Sequence, residues 1–492
     1  MTMRRRSFLL GVTLALGACA IGPSTQVSAP PTRAARIPDS LTSSSARSFL
    51  DSLTRMRAQD SVARVLPPRP LALDTASDRP WLDVLKDSQV VALVRTAMAN
   101  NRELQIAVAR VREYRALAGV ARSDLFPQIS ANFSTAENQI SFGGTPINFN
   151  AVRATGDLSW ELDFWGRLRR QTEAAGLDLR GREEDERAAV VSLVSDVVTA
   201  YLQLRELDQA VAISEQTLDS RRATLALARR RFNEGVISEL DVRQFEAEVA
   251  APAARVADFA QQQSQMEHRL SVLLGQQPGP VARGQSLESV VQGVSAPDSV
   301  PAELLLRRPD VRRAERDYQA ALARVGLAQG NRLPKVMIVG QYGRQGQVFP
   351  GLFDNKNEIY TAQAGVSIPL FTGGRLADQY RASRARADQA KARYEQTVLT
   401  AFSEAEDALV NVRLGRDQLA AQQTQAQALA RAYALAVQRY QNGVSSYLEV
   451  LDAQRSLFNA QLSLVTQERL YLQGTVQLYK ALGGGWAPLP TH

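Results

Sequence analysis

Val152-Arg153-Ala154-Thr155-Gly156-Asp157-Leu158-Ser159-Trp160-Glu161-Leu162-Asp163-Phe164 alternates with a period of two. Val152, Ala154, Leu158, Trp160, Leu162 and Phe164 fall on one face, and Arg153, Thr155, Asp157, Ser159, Glu161 and Asp163 on the other. The alternation predicts a strand with one apolar and one charged face. A half-exposed sheet of a soluble protein would read the same way. Length favours a membrane, because a strand of about nine to eleven residues crosses an outer membrane and this run is longer. Trp160, Phe164 and Trp165 gather at one end, where an interfacial aromatic girdle belongs. A second alternation precedes it, Ile129, Ala131 and Phe133 against Ser130, Asn132 and Ser134, across a turn at Gly143-Gly144-Thr145-Pro146.

The chain then says nearly the same thing again, 208 residues later. Arg231-Phe232-Asn233-Glu234-Gly235-Val236 with Leu240-Asp241-Val242 lines up with Arg439-Tyr440-Gln441-Asn442-Gly443-Val444 and Leu448-Glu449-Val450. Leu274-Gly275 matches Leu482-Gly483, and Gly166-Arg167-Leu168 matches Gly374-Arg375-Leu376. The second copy carries its own alternating runs, Val336, Ile338 and Tyr342, then Tyr360, Ala362, Val366, Ile368 and Leu370. An offset that persists this long implies two structural repeats in one pseudo-symmetric object, each reading helix, strand, strand, helix, helix.

Two strands per repeat give four, whereas a transmembrane sheet must close and the smallest barrels need about eight strands. Closure therefore requires oligomerisation; two protomers or three both satisfy the arithmetic. The helices are as telling. Gly166–Phe232 and Gly374–Tyr440 contain no proline, and each would run roughly 100 Å if continuous. Their wide apolar stripe, Val190, Leu193, Val194, Val197, Val198, Tyr201, Leu202 and Leu204 in the first, suits packing on two neighbours, as in a coiled coil or helical tube. Ser238–Leu274 and Ser446–Leu482 return antiparallel at half that length, and Pro252 should bend the first of them. The helices ahead of the strands, 87–123 and 308–331, have the right length to complete the rods.

At the N-terminus, Arg4-Arg5-Arg6, an apolar run from Phe8 to Leu16, and Leu16-Gly17-Ala18-Cys19 read as a lipoprotein signal peptide over 1–18, with acylation of Cys19 expected. Ala20 behind it favours the outer membrane, and Arg5-Arg6-Ser7-Phe8-Leu9 also resembles a twin-arginine signal. Residues 19–80 are rich in Pro, Ser, Thr and Ala and read as a tether, with a short amphipathic helix near 45–65. Cys19 is the single cysteine, so no intrachain disulfide forms. The net charge of +8 is spread through helices rather than gathered into a stripe with stacking aromatics, which argues against nucleic acid. Two histidines, no HExxH spacing and a Gly483-Gly484-Gly485 run without the lysine of a phosphate loop leave no catalytic, metal or cofactor constellation. An enzyme is not expected.

Trp160-Glu161-Leu162-Asp163-Phe164-Trp165-Gly166-Arg167-Leu168, Arg307-Arg308-Pro309-Asp310-Val311 with Ala314-Glu315, Tyr447-Leu448-Glu449-Val450-Leu451-Asp452-Ala453-Gln454 and Tyr479-Lys480-Ala481-Leu482-Gly483-Gly484-Gly485-Trp486 together resemble the outer-membrane efflux factors. The chain is similar to TolC and most of all to the NodT-type lipoproteins that serve resistance-nodulation-division pumps, over about 81–486. The resemblance implies an α+β membrane protein. Three chains would form a twelve-stranded outer-membrane β-barrel that continues into a long periplasmic α-helical barrel, working with a periplasmic adaptor and an inner-membrane pump. It gives a first repeat over 81–275 (strands about 128–164), a linker over 276–307, a second repeat over 308–483 (strands about 335–371) and a tail over 484–492.

The expected function is passive conduction of drugs or other small toxic compounds. The same duct serving type I protein secretion or metal export is the alternative, and a coiled-coil envelope lipoprotein would need no strands. By resemblance, Glu449 and Asp452, three apart on one helical face, form acidic rings at the periplasmic gate. Asp241 is the first-half equivalent of Glu449, but Gln244 stands where Asp452 has its carboxylate. Arg231, Phe232, Gly235, Val236, Arg439, Tyr440, Gly443 and Val444 are candidates for docking the adaptor. Simpler readings stand beside these: acids in a first turn complement a helix dipole, and a turn glycine supplies left-handed backbone.

Overall fold

The computed structural model describes Pro23, Thr25 and residues 87–294 and 302–484. The signal peptide, Cys19, the rest of the tether and the tail from 485 lie outside the described residues. In chain order the elements are α1 (Ser88–Asn100), α2 (Arg102–Ser123), β1 (Gln128–Phe142), β2 (Thr145–Leu162), α3 (Arg167–Asn233), α4 (Glu239–Leu273), α5 (Leu287–Gly293), a 3-10 turn (Ala302–Arg307), α6 (Pro309–Gly330), β3 (Lys335–Gly346), β4 (Glu358–Ser367), α7 (Arg375–Gln441) and α8 (Tyr447–Ala481). α3 and α7 have 67 residues each, and α4 and α8 have 35 each. Two compact units are distinguished. One holds 109–184 and 313–396; the other holds 87–108, the described part of 185–312, and 397–484.

In the first unit the strands form one antiparallel sheet in the order β1-β2-β3-β4. Register sets polarity. The rows Ile129–Leu158–Gly340–Ala362, Trp160–Ile338–Ala364 and Leu162–Val336–Val366 share the apolar face, and Ser130–Asp157–Gln341–Thr361 and Ser159–Val339–Gln363 lie on the other. On that second face Asp157 accepts hydrogen bonds from Asn132 and, at 2.7 Å, from Gln341 Nε2. Because side chains alternate, a slip of one residue would put this carboxylate on the apolar side, so the register is strongly specified. Each end strand, β1 and β4, pairs on one side only.

The strand-to-helix junction explains its own motif. Asp163 accepts from the backbone N–H groups of Leu168 (3.1 Å) and Arg169 (2.9 Å), satisfying donors at the start of α3. Glu161 and Arg167 form a bidentate pair at 2.8 Å. The indoles of Trp160 and Trp165 donate to the carbonyls of Leu125 (3.0 Å) and Pro334 (2.8 Å), fixing the chain where it enters β1 and β3.

In the second unit the apolar stripe of α3 is the centre of the core: Val194, Val197, Val198, Tyr201, Leu202 and Leu204 are at most 2% exposed. They form one cluster with Val90 and Val94 of α1, Leu270 of α4, Leu287 of α5, Leu409 of α7 and Leu472 of α8. This apolar stretch is long enough to cross a membrane by composition, but its partners here are other helices. The expected helix over 87–123 is broken at Asn101. Its Oδ1 accepts from Leu104 N (3.0 Å) to start α2, while its Nδ2 donates to the Leu273 carbonyl at the end of α4 (2.9 Å). The expected linker holds structure of its own, because Ser286 Oγ accepts from Ser289 N and starts α5. Arg283 ties the same segment to Asp208 of α3 at 3.0 Å.

Pro252 lies inside α4 and is buried. Lacking an N–H, it leaves the Glu248 carbonyl without its usual helical donor. Arg221 of α3 supplies one, its Nη1 standing 2.8 Å from that oxygen and 2.5 Å from Glu248 Oε2.

Candidate functional site

All the nominated gate and docking residues lie in the second unit, at the turns α3–α4 and α7–α8. Both turns have the same backbone. Gly235 and Gly443 each have φ of 72°, the left-handed region glycine tolerates. Gly235 N donates to Phe232 O (2.9 Å) and Val236 N to Arg231 O (2.8 Å); Gly443 N donates to Tyr440 O (3.1 Å) and Val444 N to Arg439 O (2.9 Å). These pairs close the last turn of each long helix. Part of the reason for Gly235 and Gly443 is therefore helix termination.

The side chains do not repeat. In the first turn Ser238 and Asp241 form a reciprocal capping box, with Ser238 N donating to Asp241 Oδ2 at 2.9 Å and Asp241 N to Ser238 Oγ at 3.3 Å. The Ser238 N–H and hydroxyl hold the Asp241 carboxyl below the usual carboxylate range. In the second turn Ser446 caps α8 without a side-chain hydrogen bond. Glu449, one methylene longer, instead pairs with Arg439 at 3.2 Å, and the buried Ser445 hydroxyl has no partner. Asp452 is exposed and, among the described residues, holds no ion pair.

The two turns also touch. Arg231 Nη1 donates to Tyr440 Oη at 2.5 Å, and the guanidinium carbon stands 5.3 Å from the Tyr440 ring centre. Tyr440 packs edge-on to Tyr447 at 5.4 Å, and Tyr447 packs on Phe245 of α4 at 4.4 Å. Burial pushes the Tyr447 hydroxyl up to about 12. A chain of arginine and aromatic contacts thus joins α3, α7, α8 and α4. Sequence reading named Arg231 and Tyr440 but missed that they meet, and it missed Phe245. It also missed Leu240 and Leu448, which are 67% and 69% exposed beside Val236 and Val444, both 66%. Their signal was present: a leucine four residues after the turn valine in both copies.

A sheet with one polar and one apolar face, and paired long helices ending in matched turns, are the parts of an outer-membrane channel. Residues 93–276 and 300–484 each match the outer membrane efflux protein family model. The toluene efflux pump outer membrane protein TtgI of Pseudomonas putida is 33% identical over 410 residues, 82% of this chain and 87% of that one. The cation efflux system protein CusC of Escherichia coli is 30% identical over 420 residues, 84% and 90% of the two chains. Among solved structures, the outer-membrane channel OprN superposes with a TM-score of 0.79 at 30% identity, covering 87% of this chain and all of that one. The open-state MtrE channel of Neisseria gonorrhoeae gives 0.76 at 26% identity, covering 87% and 96%. The chain belongs to the outer membrane efflux protein family. It is an efflux channel component of the outer membrane that extends into the periplasm.

Proposed function

We propose that three copies assemble as the exit duct of a tripartite pump, receiving small toxic organic compounds from a periplasmic adaptor and an inner-membrane transporter. The observation that carries this is the four-stranded sheet with opposite-polarity faces and two open edges, β1 and β4. In hydrocarbon every backbone group must be paired. Pairing β4 of one copy with β1 of the next closes twelve strands, with the Asp157 face around water and the Leu158 face toward lipid. The two repeats, 81–275 and 308–483, would then supply six near-equivalent units of wall. Conduction is passive in this reading, with energy supplied by the pump rather than by catalysis in this chain.

At the turns, exposed Val236, Leu240, Val444 and Leu448 suit docking of adaptor hairpins, together with Arg231, Phe232, Gly235, Arg439, Tyr440 and Gly443. Glu449 and Asp452 would ring the periplasmic entrance, with Asp241 contributing from the first half. Acylation of Cys19, read from the Leu16-Gly17-Ala18-Cys19 run, would add a lipid anchor.

Organic export is favoured by the resemblance to solvent and toluene pump components; cation export is the second reading, favoured by the likeness to CusC. A deletion strain separates them: hypersensitivity to toluene and antibiotics supports the first, and hypersensitivity confined to metal cations supports the second. Neutralising both acids, Glu449→Gln with Asp452→Asn, should raise single-channel conductance in planar bilayers. Unchanged conductance would remove them from the gate.

A further inference from the structure

The β3–β4 connection, residues 347–357, folds back onto the apolar face of the sheet. Leu352 is fully buried beneath it and Val152 of β2 is only 8% exposed. Asn357 Nδ2 donates to the Gly351 carbonyl at 2.6 Å, and Arg344 donates to the Phe353 carbonyl and, at 3.3 Å, to Asn355 Oδ1. The Phe349 ring stands edge-on to Phe133 of β1 at 6.1 Å and to Phe353 at 6.3 Å. Phe133 shares its row with Ala154 and Arg344, which places it on the apolar face. The loop is therefore ordered, yet Val348, Phe349 and Phe353 remain 59%, 57% and 68% exposed. Internal packing does not account for them.

The depth of the sheet does. Its apolar rows run from Leu162 to Gly156, six residues or about 20 Å of strand, and the next row, Phe133–Ala154–Arg344–Glu358, is half charged. Tilted by about 40°, the apolar rows span roughly 16 Å, short of the roughly 25 Å apolar band of an outer-membrane barrel. The row beyond Ala154 contains Val152, which the loop covers, and the rows after it on this face, Glu137–Asn150 and Gln139–Asn148, are polar. The strands stop being apolar at the level where the loop presents its three large side chains. Trp160, Phe164 and Trp165 mark the opposite end, and the loop region carries Arg344 and Lys356 balanced by exposed Asp354 and Glu358.

We infer that the β3–β4 loop is a membrane anchor: Val348, Phe349 and Phe353 insert into the outer leaflet of the outer membrane, extending outward the aromatic girdle that exposed Phe133, Tyr342 and Tyr360 begin on the strands. This rests on the lipid-facing reading of the apolar face, and the test separates the two. The full-length protein is reconstituted in liposomes, and the emission added by Phe353→Trp is compared with that added by Tyr342→Trp on the same face and Asn150→Trp in the polar row. With phospholipid brominated near the headgroup, the emission added at 353 should be at least about halved and protected from acrylamide, while that at 150 behaves oppositely. If 342 is quenched by lipid but 353 only by acrylamide, the loop projects into water and the anchor is wrong. If 353 is shielded from both quenchers, a neighbouring protomer covers it and the anchor is equally wrong. If 342 is not quenched by lipid either, the lipid-facing reading of the sheet falls with it.

Discussion

Arg221 holds Glu248 twice, by the backbone carbonyl at 2.8 Å and by Oε2 at 2.5 Å, and Pro252 four residues on is the reason the carbonyl is free. A proline that would weaken an isolated helix becomes the point at which α3 and α4 are joined. Arg221→Met should cost about 2–3 kcal/mol, because it strands a carbonyl and a partly buried carboxylate. Adding Pro252→Ala should return about 1 kcal/mol by restoring an N–H to the helix. Denaturant unfolding of the four combinations tests this. Additive effects would show that the two residues do not share a partner.

Glu449→Asp should give α8 the cap that Asp241 gives α4. The shorter carboxylate reaches the Ser446 N–H and releases Arg439, for a gain of about 1 kcal/mol in local stability. Amide exchange over the first turn of α8 should slow about five-fold. Unchanged exchange would mean that the Arg439 pair, not side-chain length, decides the cap.

Glu468 of α8 is buried, and desolvation with the nearby Glu288 of α5 pushes its carboxyl up to about 7. An acid raised in the folded state binds its proton more tightly there than in the unfolded chain. Stability from this group is therefore complete below the unfolded value of about 4.5 and declines as pH rises to about 7, by an amount on the order of 3 kcal/mol. Glu468→Gln should flatten the stability profile across that window and be the more stable form at pH 8. A variant profile parallel to the parent would exclude Glu468 as the source.

Tyr440→Phe removes the hydroxyl that accepts from Arg231 while leaving the ring beneath the guanidinium. A loss of about 1 kcal/mol at the contact between turns corresponds to a roughly five-fold increase in open-state occupancy, read from planar-bilayer recordings. An unaltered open fraction would make this contact a packing detail without influence on the entrance.

The sheet was the most legible part of the chain, because a period of two fixes every side chain once one is placed, and Asp157 or Glu161 on the wrong side would be costly. The long helices were equally open to reading, since neither 167–232 nor 375–440 contains a proline. The break at Asn101 was not read: within Asn100-Asn101-Arg102-Glu103 it looks like a surface position, and only Leu104 N and the Leu273 carbonyl show that it ends one helix and begins the next. The pairing of Arg221 with Glu248 and of Arg231 with Tyr440 depends on how helices face each other, which spacing within one helix does not encode. At the turns, the offset of 208 residues located the equivalent acids, but not that Asp241 binds the Ser238 cap while Glu449 binds Arg439.

The equal lengths of α3 and α7 work as matched rulers. One residue inserted into either helix would advance its turn by about 1.5 Å and rotate it by about 100°, carrying Arg231 away from Tyr440. Residues 276–286 carry no helix or strand, yet Arg283 is tied to Asp208 and Glu267 and the Gly284 N–H to Tyr201 Oη, so this stretch keeps its place by side-chain bonds rather than by helical phase. The two long helices should therefore tolerate substitution but not a change of length.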